Sequence, residues 1–176
     1  MKNILYLVLL SVSLTTAQNK YITKTGQLNF EASVPSFEEV AAKNSLTTAI
    51  LNTETGEFAA LALVKGFRFK NALMEEHFNE NYAESNLYPK ATFKGKISDF
   101  NSSDGIYKMT GELTFHGITK TLENLTVDIT SSGEKISMSG SFVTNPSDYN
   151  IEIPKIVRNK IAESVTVNFV FELIKK

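Results

Sequence analysis

Histidine, serine and carboxylate side chains are the groups in this chain that could catalyse a reaction or hold a metal. The 176 residues include two histidines, His77 and His116, which do not form a metal-ligand spacing such as His-x-x-x-His. No serine lies in Gly-x-Ser-x-Gly, and there is no cysteine to serve as a nucleophile or ligand. On a helix the adjacent Glu75 and Glu76 would point about 100° apart, so they could not share a substrate proton. The sequence therefore predicts a protein that is not an enzyme, with no metal and no cofactor.

Phenylalanine is the informative residue type, with 12 Phe and 6 Tyr but no Trp in the chain. Many of these rings occupy alternate positions of predicted strands and would face one interior. Gly95, Gly111 and Gly140 fall in the same inward rows, where they either leave room for a tunnel or bend the strands. The residues predicted to line an apolar interior are Phe30, Phe67, Phe69, Phe78, Phe93, Tyr107, Leu113, Phe115, Met138, Phe142, Val167, Phe169 and Phe171.

The elements that must position these rings centre on a hairpin at residues 107–129. Tyr107, Met109, Gly111, Leu113 and Phe115 alternate with polar residues, a period of two that turns one face to a core. His116-Gly117 then breaks the strand, and glycine can adopt the positive φ that a tight hairpin turn needs. Strand character resumes at residue 118.

Other segments repeat this pattern, with two predicted helical insertions. Residues 20–34 form a first strand, and the Ser-Phe-Glu-Glu spacing from residue 36 predicts a helical turn over residues 36–42. Residues 57–69 read as one strand, and residues 58–64 within it are apolar on both faces, which predicts that flanking helical segments cover it. Residues 71–82 are the best helix candidate, with an apolar side and a polar side. Further strands begin near residues 91, 136 and 165.

About eight strands joined mostly by short turns indicate an all-β domain. Antiparallel strands must protect their edges, and closure into a barrel removes the edges entirely. We therefore predict an eight-stranded antiparallel, lipocalin-like barrel with one or two short helical insertions, which is wide enough for its own side chains or one small ligand. A β-sandwich of the same strands is the alternative.

The first 17 residues are typical of a signal peptide. Lys2 precedes an apolar run at residues 4–14 and the small residues that end at Ala17, so we expect cleavage after Ala17 and a single domain over residues 18–176. The run is shorter than the roughly 20 residues of a transmembrane helix, which is the alternative. We expect a periplasmic or secreted protein with no permanent membrane anchor. Loss of Lys2 leaves 17 basic and 19 acidic residues, a net charge of −2, which argues against nucleic acid and against retention on an anionic membrane surface.

Several motifs together resemble the YceI-like family. They are Tyr-Pro-Lys-Ala-Thr-Phe at residues 88–93, Gly-Glu-Leu-Thr-Phe-His-Gly-Ile-Thr-Lys at residues 111–120, Ser-Asp-Tyr-Asn-Ile at residues 147–151, and His-Phe at residues 77–78. The resemblance covers most of the chain after residue 17. It implies an exported lipocalin-like barrel that holds a long isoprenoid or similar apolar lipid, with no catalytic activity established for the family as a whole.

Two functions are compatible with these observations. The first is an exported, non-catalytic protein that binds a polyisoprenoid or similar long apolar chain inside its barrel. The second is a filled barrel that acts as a protein-interaction or envelope-stress module without bound lipid. An open interior favours the first function and a packed interior favours the second. Both a monomer and a dimer fit the sequence.

Overall fold

A computed structural model describes residues 19–35 and 37–176. The predicted signal peptide lies outside these residues. Within them the chain forms nine strands and one α-helix, α1 (Ala72–His77), which a π-helical turn at Phe78–Tyr82 extends. The strands are β1 (Lys20–Ser33), β2 (Ala41–Asn52), β3 (Glu57–Leu63), β4 (Arg68–Phe69), β5 (Lys90–Ile97), β6 (Gly105–Phe115), β7 (Ile118–Ser132), β8 (Lys135–Thr144) and β9 (Ile161–Lys175).

The sheet closes on itself. Strands that follow one another along the chain pair antiparallel, and β1 pairs with both β2 and β9, so eight strands form a closed up-and-down barrel. The two-residue β4 is an additional short strand that follows β3 and pairs with β2 alone. The predicted eight-stranded antiparallel barrel is confirmed, and the β-sandwich alternative is wrong, because closure leaves no pair of separate sheets.

The central hairpin forms at the predicted turn. Phe115 pairs with Ile118, and the two residues between them, His116 and Gly117, have φ angles of 49° and 74°. Two consecutive positive φ angles are the geometry of a type I′ turn, whose twist matches that of the flanking strands. Glycine adopts this conformation without cost, whereas at His116 it must be held by other contacts.

The helix predicted at residues 71–82 is confirmed in outline. The Asn71 side chain caps it by accepting hydrogen bonds from the backbone N–H groups of Leu73 and Met74, at 2.9 and 3.4 Å. Asparagine is among the residues preferred at this position, because its oxygen satisfies N–H groups that have no partner within the helix. The helix packs against β4.

Two predicted elements are wrong. Residues 37–42 do not form a helix, because the chain returns directly into β2, and just before it the Ala32 N–H donates to the carbonyl of Val40 at 2.8 Å. The strand predicted over residues 57–69 ends at Leu63, and a 3₁₀ turn at Val64–Gly66 follows. The buried Asn44 side chain donates to the Leu63 carbonyl at 3.0 Å, which fixes the turn at the end of the barrel.

The expectation that helical segments cover β3 on its outer face is also wrong. Phe58, Ala60 and Ala62 face the interior, whereas Ala59 and Leu61 are half-buried on the outer wall. Helix α1 contacts β4 and makes no substantial contact with β3. The outer face of β3 carries Ala59, the half-buried Leu61 and the exposed Leu63, and scattered exposed apolar residues of this kind are common on protein surfaces.

The barrel has two unlike ends. The closed end carries the turns at residues 53–56, 98–104 and 133–134, and its interior is filled by almost completely buried side chains. These are Leu51, Ile97, Met109, Val127, Ile129, Ile136, Met138 and Leu173. The open end carries residues 34–35 and 37–40, α1 with its flanking turns, the hairpin turn at His116, and residues 145–160. Packing at the closed end leaves the open end as the place for a ligand.

Candidate functional site

An apolar cavity of about 430 Å³ occupies the half of the barrel nearest the open end. Of the 13 residues predicted to line an apolar interior, 11 line this cavity: Phe30, Phe67, Phe69, Phe78, Phe93, Leu113, Phe115, Phe142, Val167, Phe169 and Phe171. The structure therefore brings together side chains from β1, β5, β6, β8 and β9, and from the segment around α1. Whether these residues contact a ligand stays a prediction.

Tyr107 and Met138 are not among the cavity-lining residues. Met138 is fully buried in the packing of the closed end. The Tyr107 ring packs at 5.2 Å on Phe100, and its hydroxyl bonds to the Asn101 side chain at 2.6 Å and to the Ser103 carbonyl at 2.8 Å. Both residues face inward, as predicted, but they lie too near the closed end to reach the cavity.

The cavity floor is made of phenylalanine rings that lie over glycines. The Phe93 ring covers Gly95 and Gly111, and the Phe169 ring covers Gly140. A Cβ atom added at Gly111 would lie 2.5 Å from the Phe93 ring, and one at Gly140 would lie 2.5 Å from the Phe169 ring. These glycines therefore do not open a tunnel. They accept the rings that separate the cavity from the closed end.

One wall of the cavity is a cluster of four rings, Phe30, Phe67, Phe69 and Phe78. The Phe78 ring lies 5.5 Å from Phe30, 5.9 Å from Phe67 and 5.2 Å from Phe69, measured between ring centroids. Tilted and edge-on pairs at these separations are favourable beyond the area that they bury. The cluster joins the segment around α1 to strands β1 and β4, so the segment closes part of the open end.

Phe78→Ala is expected to loosen this part of the wall. We expect a loss of about 3 kcal/mol in the free energy of unfolding, at the low end for Phe→Ala because Phe78 is only half-buried. A fluorescent isoprenoid bound in the cavity should also dissociate faster than from the wild type. Denaturant midpoints and off-rates measured on one preparation report both effects. Glu76→Ala, an exposed change on the same helix, is the control, and an off-rate equal to that of the control would exclude a covering role for this segment.

Most of the cavity wall is apolar, but polar side chains also line it, among them Glu38, His77 and Lys160. The Thr47 and Tyr149 hydroxyl oxygens are buried and have no hydrogen-bond partner of normal geometry among the described residues. Burial raises the pKa of Tyr149, and Thr144 beside it opposes that shift. Sequence reasoning missed both residues, because Thr47 follows an irregular stretch of β2 and Tyr149 lies in a 3₁₀ turn, where no periodicity indicates a facing direction.

His116 links two other segments of the open end through hydrogen bonds. Its Nδ1 lies 2.9 Å from the Tyr149 carbonyl oxygen, and its Nε2 lies 2.8 Å from a carboxylate oxygen of Glu84. A carbonyl oxygen can only accept, so Nδ1 donates this bond. The Tyr88 ring packs at 4.4 Å on the imidazole. Both ring nitrogens are occupied, so His116 acts as a structural link that holds the hairpin turn in place.

The described residues contain no cluster of three or more histidine or carboxylate side chains suited to a metal ion. His77 is exposed on α1, away from His116, and lies at the rim of the cavity. Across residues 19–35 and 37–176, no helix has the length and apolar character needed to cross a membrane. The cavity presents a largely apolar surface with scattered polar side chains.

A closed antiparallel barrel, packed at one end and holding an apolar cavity at the other, defines a lipocalin-like barrel. The model of the YceI-like domain matches residues 13–173. The chain belongs to the YceI-like family, as its sequence motifs predicted. No curated protein sequence matches it significantly.

Solved structures with the same fold come from several bacteria. A polyisoprenoid-binding domain from Saccharophagus degradans, implicated in plant cell wall breakdown, superposes with a TM-score of 0.77 at 15% identity, covering 90% of this chain and 99% of that one. BcnA from Burkholderia cenocepacia gives 0.72 at 17% identity, with 86% and 96% covered. The YceI protein of Campylobacter jejuni gives 0.66 at 18% identity, with 81% and 89% covered. At these identities the similarity establishes the fold.

Proposed function

We propose that this protein is an exported, non-catalytic carrier that binds a long isoprenoid or similar apolar lipid in its cavity. The observation that carries the proposal is the cavity of about 430 Å³ with its phenylalanine-rich wall. This volume falls within the roughly 300–1,000 Å³ of small-molecule sites. The polyisoprenoid-binding domain with the same fold supports an isoprenoid as the ligand.

Apolar burial alone can supply the affinity. At roughly 0.8 kcal/mol per buried CH₂ group, a dozen methylene equivalents contribute about 10 kcal/mol before the costs of association. A binding free energy of this size does not require a charged residue to hold the ligand. The unpartnered Tyr149 hydroxyl near the open end could receive a hydrogen bond from a ligand hydroxyl or donate one to it.

The proposal includes export through residues 1–17, which have the features of a cleaved signal peptide. A mature chain that begins at Gln18 would be periplasmic or secreted. Because the proposed ligand is apolar and the cavity wall is mostly apolar, we assign the protein no reaction.

Native mass spectrometry of the protein purified from its own cell envelope tests the proposal. We expect a mass above that of the chain from Gln18 to Lys176, and release of the excess as an extractable apolar lipid. The control is the same protein denatured, stripped with solvent and refolded, which should appear without ligand and regain a mass excess when mixed with a long isoprenoid alcohol. Repeated recovery of ligand-free protein that also fails to bind the alcohol would favour a barrel that serves as an interaction module.

A further inference from the structure

One loop at the open end combines an exposed apolar side chain with positive charge. Ile156 is 85% exposed, and Lys155 and Arg158 flank it within a turn at residues 154–160. In the described part of the chain, neither of these two basic residues forms an ion pair, whereas Lys70 across the open end is paired with Glu39. We call residues 154–160 the basic loop.

The basic loop borders the cavity. Val157 and Lys160 line it, so Ile156 stands at the edge of the opening. Two other exposed apolar residues stand on neighbouring segments of the open end, Leu73 on α1 at 56% exposure and Phe37 at 46%. Single exposed apolar side chains are common on protein surfaces, so exposure by itself indicates nothing. The combination with unpaired cations beside an apolar opening is what needs a partner.

The charge of this surface is opposite to that of the rest of the chain. Residues 152–160 carry Lys155, Arg158 and Lys160 against the single acidic Glu152, whereas residues 18–176 carry 17 basic and 19 acidic residues. The helical side of the open end carries the exposed Glu76 and Glu80. An anionic surface would therefore attract the basic loop and repel the helical side, which fixes one orientation of approach.

We propose that the basic loop docks the open end of the barrel on an anionic lipid bilayer, with Ile156 inserted among the lipid headgroups. Insertion of an apolar side chain together with attraction of basic residues to anionic lipid is the mode of interfacial membrane binding. Three cations are fewer than the four to eight of strong polybasic sites, so the contact is weak and reversible. This inference rests on the proposed function, because docking would place the cavity opening on a bilayer that can supply or receive the apolar ligand.

The proposal refines an expectation from the sequence. The net charge of −2 and the lack of a long basic run argued against retention on an anionic membrane. Permanent attachment is still not expected. A transient contact needs less charge, and the fold places Lys155, Arg158 and Lys160 together beside the opening.

Co-sedimentation of the full mature protein with vesicles tests the docking. We expect binding to vesicles of mixed phosphatidylcholine and phosphatidylglycerol, weaker binding to phosphatidylcholine alone, and release as the salt concentration rises. Ile156→Asp, and separately the pair Lys155→Gln with Arg158→Gln, should each reduce the vesicle association constant about tenfold or more. These changes lie on the exposed loop and should leave the denaturant midpoint unchanged.

Matched changes at the closed end are the controls. Ile106→Asp replaces an isoleucine that is 73% exposed, and Lys135→Gln with Lys175→Gln removes the same charge. These variants should bind vesicles as the wild type does. The docking proposal is overturned if the wild type does not bind anionic vesicles, if Ile156→Asp binds them as the wild type does, or if the controls lose as much binding as the loop variants.

A second readout separates this proposal from the function on which it rests. Equilibrium binding of a soluble fluorescent isoprenoid, measured without vesicles, should be the same in the wild type and in the loop variants. Vesicle binding that persists in a protein with no isoprenoid affinity would refute the carrier function and leave the docking intact. Isoprenoid affinity without vesicle binding would refute the docking and leave the carrier function intact.

Discussion

Gly111→Ala is expected to destabilise the barrel by about 3 kcal/mol, at the upper end of the usual range for overpacking. The added Cβ would lie 2.5 Å from the Lys94 carbonyl oxygen and 2.6 Å from the Gly95 Cα atom, both in the backbone of β5. A side chain can rotate away from such a contact, but two paired strands can separate only by weakening their hydrogen bonds. The measurement is the denaturant midpoint and its slope.

Glu112→Ala is the matched control for this change. Glu112 is the next residue of β6 and faces solvent, so its truncation should alter stability by less than about 0.5 kcal/mol. A Gly111→Ala variant as stable as this control would mean that neither the backbone of β5 nor the Phe93 ring lies against Gly111, and that the cavity extends toward the closed end. The sequence alone left that tunnel open as one of two explanations of the inward glycines.

The strands and their facing directions could be predicted because the signal is local. Alternation along β6, β7 and β9 shows directly which residues face inward, and the His116-Gly117 pair marks a tight turn without any knowledge of the rest of the chain. The family motifs lie in the same segments. Closure of the barrel follows from the need to protect strand edges, so the fold class could be predicted from the sequence.

The ends of the elements could not be predicted, because they depend on contacts between distant residues. Strand β3 stops at Leu63, where the Asn44 side chain meets its carbonyl group, a contact between residues 19 apart in sequence. The helix predicted at residues 36–42 rested on the sequence of a capping box, but residues 37–40 form a short return into β2, which pairs with β1. Local propensity gives way to strand pairing at both places.

The position of each inward-facing residue along the barrel axis also could not be predicted from the sequence. Met138 and Phe142 share one face of β8, yet Met138 pairs across from Phe171 deep in the barrel and Phe142 pairs across from Val167 nearer the open end. A period of two gives the face of a strand and says nothing of height along the barrel. The same limit concealed the basic loop, since three cations in nine residues become a feature only when the fold places them at the opening.

Ala60→Phe is expected to weaken ligand binding strongly without harming the fold. Ala60 lies on the inner face of β3, lines the cavity, and neighbours the Phe93 side of the floor. A phenyl ring there would occupy space that an apolar chain needs, so the affinity for a long isoprenoid should fall about tenfold or more. Filling an apolar cavity commonly stabilises a protein by about 0.5–2 kcal/mol, so the denaturant midpoint should hold or rise.

Ala59→Phe provides a control that differs by one position. Ala59 is adjacent in the same strand but faces the outer wall, away from the cavity. The substitution adds the same phenyl ring to the same strand, one residue away from Ala60. The added ring should leave isoprenoid affinity at the wild-type value, because it does not enter the barrel.

Titration of a fluorescent long-chain isoprenoid into the wild type, Ala60→Phe and Ala59→Phe is therefore the most direct measurement of whether the cavity holds an apolar ligand. We expect saturable binding at one site per chain in the wild type and in Ala59→Phe, and loss of that binding in a fully folded Ala60→Phe. Equal affinity in all three proteins would place the ligand outside the barrel and contradict the assignment of this cavity as a lipid site.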